Sequence, residues 1–182
     1  METGDILFQI VFAGGGEEAR LQLTEMLSPF VRPVPAWKHP GRRLLFLPEG
    51  GLPPEGLLRR GDTAIVSAES PGQLKQLSRM PVQAIVCGLS SKDTVTFSSR
   101  EESRAAVSLL REIRGWDGRT VEPMELLVEV PGGCGDYLVL AAAAAAMYFG
   151  IPPDHLRKFT SYKTKRPAYN TKANAEKPNF RN

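Results

Sequence analysis

The chain has 182 residues, of which 42% are hydrophobic, 24% charged and 8% aromatic. That length suits one domain able to bury its core without disulfides or metal staples. Cys87 and Cys134 stand far apart and only His39 and His155 supply imidazole, which argues against a disulfide framework, a structural zinc cluster and a His-rich metal site. The net charge of +3 is unevenly placed: from Arg157 onward eight cations face the single acid Glu176, so this tail carries +7 and the body −4.

Ile6 to Phe12 is a short β-rich apolar run that ends in Ala13-Gly14-Gly15-Gly16. Glu17 to Leu27 follows with apolar residues at Ala19, Leu23, Met26 and Leu27. That spacing predicts a helix, stopped at Pro29, so the segment reads as the opening half of a βαβ unit. The Pro-rich stretch Pro33 to Gly41 and the Pro/Gly-rich stretch Pro48 to Gly61 are expected to be loops. Leu44 to Leu47, Ala64 to Ser67 and Val82 to Cys87 read as buried strands, with Ser70-Pro71 starting a short helix between the last two.

Thr94 to Ser98 alternates and reads as a fifth strand. Ala105 to Ile113 fits a helix by its apolar spacing, and Ser99 to Glu102 has capping-box spacing. Asp117-Gly118 is nevertheless a strong hairpin turn, and Leu126 to Val130 is Val/Leu-rich, so a hairpin is preferred there. Gly132 to Asp136 leads into Tyr137 to Phe149, an alanine-rich helix with Asp136 as expected N-cap and Gly150 as left-handed C-cap. Its six consecutive alanines predict close packing against a sheet. Strands alternating with helices indicate an α/β fold: a mainly parallel sheet flanked by helices, with a small antiparallel excursion around residues 94 to 130.

Residues 1–156 are taken as the domain and 157–182 as a basic, disordered tail, too poor in aliphatics to offset its ordering entropy. Phe159, Tyr162, Tyr169 and Phe180 are interleaved with its cations, a pattern that suits weak contact with nucleic acid or an anionic surface. No basic-then-apolar leader opens the chain, and its longest apolar run, Tyr137 to Phe149, is shorter than the roughly 20 residues a bilayer span requires. A cytoplasmic protein without a membrane span is expected.

Two stretches resemble the central, nucleotide-binding domain of the Mur ligases, the ATP-dependent amide-forming enzymes of peptidoglycan synthesis, and of their folylpolyglutamate synthase relatives. Val130 to Ala142, running on to Gly150-Ile151-Pro152, is similar to the family's closing turn and helix. Ala64 to Pro71 is similar to its strand ending in Asn-Ala-Asp-Asp-Pro. Val86 to Leu89 and Asp93 to Thr96 fall between them in matching order. The resemblance implies a P-loop-related three-layer α/β fold with a site at the glycine loop.

The chain departs from that pattern where the chemistry lies. The family's phosphate loop reads Gly-Thr-x-Gly-Lys-Thr/Ser, whereas this chain reads Gly14-Gly15-Gly16-Glu17-Glu18. The lysine that reaches the β/γ-phosphates becomes Glu17, and the magnesium-holding hydroxyl becomes Glu18. Two carboxylates therefore stand where phosphate charge should sit, and carboxylates at a helix N-terminus are self-stabilising by about 0.3–1 kcal/mol. Cys134-Gly135 replaces the family's His-Asn pair and Leu138 its later Asn. The stretch before Ser67 is too short for the strands bearing the family's magnesium-binding glutamate and carbamylated lysine. The basic tail stands where the C-terminal amino-acid-binding domain would follow.

The expectation is a shortened, non-catalytic binding or regulatory module that takes no cofactor unless the altered loop still holds Mg-ATP. Its partner is an unidentified protein or small metabolite. Gly14, Gly15, Gly16, Glu17 and Glu18 form the candidate ligand site, joined by Glu69, a carboxylate at the strand edge where α/β sheets bind ligands. Two further readings remain open: an amide-ligase-like enzyme with an altered phosphate loop, and a nucleic-acid-associated protein acting through its tail. Cys134, in a glycine-rich turn before a helix, is read as an incidental thiol and Cys87 as packing.

Overall fold

The computed structural model describes residues 8–13, 17–28, 30–34, 43–50, 52–53 and 55–152. Gly14, Gly15 and Gly16, residues 35–42, His155 and the basic tail lie outside the described residues. Five strands and two helices form the first half: β1 (Phe8–Phe12), α1 (Glu17–Leu27), β2 (Val31–Val34), β3 (Leu44–Phe46), β4 (Thr63–Ser67), α2 (Pro71–Leu77) and β5 (Gln83–Cys87). The second half holds β6 (Val95–Arg100), β7 (Arg104–Leu109), β8 (Ile113–Arg114), β9 (Thr120–Val121), β10 (Met124–Glu129) and α3 (Asp136–Phe149).

Eight strands make one sheet in the order β10-β7-β6-β5-β4-β3-β1-β2, and β8 pairs with β9 in a small separate hairpin. The run from β2 to β6 is parallel. β7 is antiparallel to β6 and β10 is antiparallel to β7. The α/β class, the mainly parallel sheet and the antiparallel excursion are therefore as the residue pattern indicates. Leaving β1, the chain steps to one side for β2 and to the other for β3. Crossovers of one hand that step in opposite directions must lie on opposite faces. Accordingly α1 packs with Ile10, Leu44 and Phe46, while Leu77 of α2 packs with Val11, Leu45, Ala64 and Val66 on the other face.

The α3 helix shares the first face with α1. Val139 through Phe149 are all buried, Ala141–Ala146 among them, and a helix apolar all round belongs in an interior. Gly150 ends it at φ 69°, and the Ile151 N–H donates to Ala146 O at 2.9 Å, a left-handed stop that glycine adopts without strain.

Two local expectations are corrected. Pro33 and Val34 belong to β2 rather than to a loop; β2 is the sheet's end strand, where proline's missing donor costs no ladder bond. Residue 135, not Asp136, is the N-cap of α3; Asp136 sits in the first turn, where its carboxylate still complements the helix dipole and accepts from Arg100 Nε at 3.1 Å. The hairpin preferred over a helix for residues 105–130 is the one formed, and residues 99–102 do not open a helix. They belong to β6 and its tight turn into β7, because Ala105, Val107 and Leu109 pair in register with Val128, Leu126 and Met124 and bury one face against α3.

The long β3–β4 connection is held by a buried ion pair. Arg43 and Asp62 are 1% and 3% exposed. The Arg43 guanidinium grips both Asp62 carboxylate oxygens and also donates to Leu57 O, while Asp62 accepts the Arg59 N–H at 2.8 Å. Replacing Asp62 by Asn, which strands the buried guanidinium, should cost about 3–5 kcal/mol in denaturant unfolding. The double change Arg43→Met with Asp62→Leu should recover most of that loss; a double variant no more stable than Asp62→Asn would show that the pair is needed for its charge.

Candidate functional site

Open α/β sheets bind ligands outside the carboxyl ends of their strands, where strand order reverses. Here that point lies between β1 and β3. Glu17 and Glu18 open α1, the element that follows β1 in the chain, and Glu69 occupies the turn between β4 and α2. All three carboxylates therefore stand at one edge of the sheet and all are exposed. Their described partners are local. Arg20 Nη2 lies 3.5 Å from Glu17 Oε1, and Gln22 Nε2 donates to Glu18 Oε1 at 3.4 Å. Among the described residues no group of three His, Cys, Asp or Glu side chains has a metal-holding arrangement.

Between these acids the chain's own groups close the ends of β3 and β4. Buried Ser67 Oγ donates to Glu49 Oε1 at 2.8 Å and accepts the Glu69 N–H at 3.2 Å. Gln73 Nε2, on α2, donates to Pro48 O at 2.7 Å. These bonds strap the segment after β3 to the β4–α2 turn. On the α3 side the Tyr137 hydroxyl donates to Leu47 O at 2.6 Å, with Ile65 O at 3.3 Å. Its ring stacks on Phe46 at 5.4 Å and 22°, and Phe46 meets Phe12 edge-on at 5.6 Å. Such aromatic pairs contribute beyond their buried area.

Burial lifts the Tyr137 hydroxyl far above the ordinary tyrosine range, and the nearby Glu49 carboxylate pushes the same way. Tyr137 is thus a neutral donor fixed on backbone carbonyls. Burial, with the Asp93 carboxylate adding to it, likewise keeps Cys87 a neutral thiol. Cys134 is half-buried with its sulfur 3.7 Å from Met26 Sδ. Burial raises its pKa, Arg100 pulls it down and Asp136 pushes it up again, for a net rise. A thiol so placed is a poor nucleophile, in keeping with its reading as incidental. Gly88 is required where the edge is tightest: a Cβ there would lie 2.6 Å from Ala68 Cβ and overlap the Asp93 carboxylate.

Glu49, Ser67 and Tyr137 were not singled out among the candidate residues. Glu49 and Ser67 each stand at or just past a strand's end, the position that marks the sheet's carboxyl edge, and Tyr137 is the second residue of α3. Their joining across the edge needs the sheet order. Chemically the edge offers acceptors and fixed neutral donors. Exposed carboxylates at such an edge favour a cation or an amine over a phosphate. Comparison with protein-family models gives no match to this chain, and comparison with curated proteins gives none either.

Tyr137→Phe keeps the stack and removes both carbonyl contacts, so it should lower the unfolding free energy by about 1–2 kcal/mol. Because the folded-state pKa is raised, Tyr137's contribution is complete below the unfolded tyrosine value of about 10 and is lost as pH climbs beyond it. Denaturant melts from pH 8 to 11 should therefore fall more steeply above about pH 10 for the natural chain than for Tyr137→Phe; parallel curves would contradict the assignment.

Proposed function

We propose that the chain is a shortened relative of the Mur ligase central domain that works as a binding or regulatory module and does not catalyse amide formation. The resemblance supplies the ancestry, and with it a connection to cell-wall metabolism. The observation that carries the loss of catalysis is the charge of the first turn of α1. Glu17 and Glu18 stand where a phosphate loop needs a lysine and a hydroxyl. Arg20 is drawn onto Glu17 and Gln22 onto Glu18, so the nearest donors on α1 are directed to the helix's own acids. A triphosphate brought to that helix end meets repulsion, and the macrodipole there is already complemented.

The straps at the strand ends point the same way. Ser67, Gln73 and Tyr137 spend their hydrogen bonds on Glu49, Pro48 and Leu47, and a hydroxyl so committed is no proton shuttle. The module's ligand is a protein or metabolite presenting a cationic group to the edge that bears Glu17, Glu18 and Glu69.

Isothermal titration of the full chain with Mg-ATP should give no saturable heat up to about 1 mM, the range of weak binding near −4 kcal/mol. A clear saturable heat would favour the competing reading, an enzyme with an altered phosphate loop. Glu17→Lys combined with Glu18→Thr should improve triphosphate binding by about tenfold or more, since each charge near a helix N-terminus shifts anion affinity. A folded double variant with no gain would remove electrostatic blockage as the cause.

A further inference from the structure

The two ends of the large sheet are unlike. β2 closes one end and carries Pro33, a residue that blunts an edge. β10 closes the other, and among the described residues no strand pairs with its outer side. Its pairing with β7 is continuous from Met124 to Glu129, without a bulge. The Val130 N–H donates to Ser103 O. By the alternation of an antiparallel ladder, Met124, Leu126 and Val128 then turn their backbone groups toward β7. Glu125, Leu127 and Glu129 turn theirs outward, to the unpaired edge.

The side chains of these same three residues share the sheet face opposite the core, because Leu126 and Val128 are buried in the α3 core. Leu127 is 55% exposed. It borders a depression of about 390 Å³ shared with Ser99, Arg104, Ala106 and Glu129, where small Ala106 on β7 leaves the sheet surface low. Glu122, Glu125 and Glu129 are the only charged residues from Val121 to Pro131.

We infer that the free edge of β10 receives an extended, basic peptide segment from another protein chain as an added strand, with cations facing Glu125 and Glu129 and an apolar residue beside Leu127. Main-chain bonds to an open edge supply affinity, and alternate side chains supply selectivity. Charge decides between this occupant and a second copy of the chain. Self-pairing centred on Leu127 would set Glu125 directly opposite the partner's Glu129, and like charges opposed across strands are destabilising. The surface is distinct from the carboxyl-edge acids, so the inference stands whether or not the proposed function does.

The test uses the full chain and two synthetic probes, Lys-Thr-Val-Thr-Lys-Thr and its acidic counterpart Glu-Thr-Val-Thr-Glu-Thr. The basic probe should bind saturably, weaken with added salt, and slow amide exchange at Glu125, Leu127 and Glu129. The acidic probe should bind about tenfold more weakly or worse, as mismatched charge predicts. Leu127→Pro removes an outward donor and no bond to β7, so it should abolish binding while the chain stays folded by circular dichroism. Should that variant unfold, Glu125→Lys with Glu129→Lys must reverse the preference between the probes. Equal binding of both probes, unchanged binding by Leu127→Pro, or amides at Glu125, Leu127 and Glu129 already protected without peptide would each overturn the inference. So would a chain that sediments as a dimer dissolved by Leu127→Pro.

Discussion

Ala141–Ala146 present almost no side-chain bulk, so α3 can lie close against the sheet. Its contacts run across β4, β5, β6 and β7 and also onto α1. That close approach fixes both ends of the helix. At one end Tyr137 is pressed onto Phe46 and reaches the carbonyls of Leu47 and Ile65. At the other, Trp116 N–H donates to Tyr148 O, which ties the β8–β9 hairpin to the helix terminus. A bulkier residue among the six alanines would lift the helix and loosen the carboxyl edge with it, since interiors tolerate added volume poorly.

The carboxyl edge combines two opposed features. It has the geometry for ligand binding, a reversal of strand order with a helix N-terminus beside it. Its charges are those of a cation-seeking surface: Glu17, Glu18 and Glu69 are exposed there, and Glu49 is held by Ser67. A helix N-terminus, which favours anions, thus stands beside side chains that repel them. The neutral Tyr137 and the protonated Cys87 add no countercharge.

The antiparallel extension has a different logic. Residues 94 to 130 add strands whose outer face is polar where α2 no longer covers it: Ser98 and Ser108 both donate to Glu125. A one-sided sheet needs no second layer when that face is polar. The parallel part, buried on both sides, could not have been left so. Leu127 is the exception on this polar face, and it lies on the end strand of the large sheet that carries no proline.

Periodicity and punctuation already located α1, β3, β4, α2, β5 and α3, because each is short, strongly patterned and bounded by Gly or Pro. Gly150 as the stop of α3 was legible for the same cause, one left-handed position that glycine fills without strain. Glu17 and Glu18 were legible as acids at a helix start, and Glu69 as an acid past a strand. Strand order was not, nor was the pairing of Arg43 with Asp62 across 19 positions, nor the reach of Tyr137 to Leu47 across 90. Local spacing records which face of an element is apolar, but carries no trace of which distant carbonyl a buried hydroxyl must meet. Pro33 misled for a related cause: proline breaks a strand only if its missing donor is needed, and that depends on whether another strand lies beside it. Such choices are made when elements compete to satisfy buried polar groups in three dimensions, and in this chain that competition placed Tyr137, Ser67 and Glu49 together at the sheet's edge.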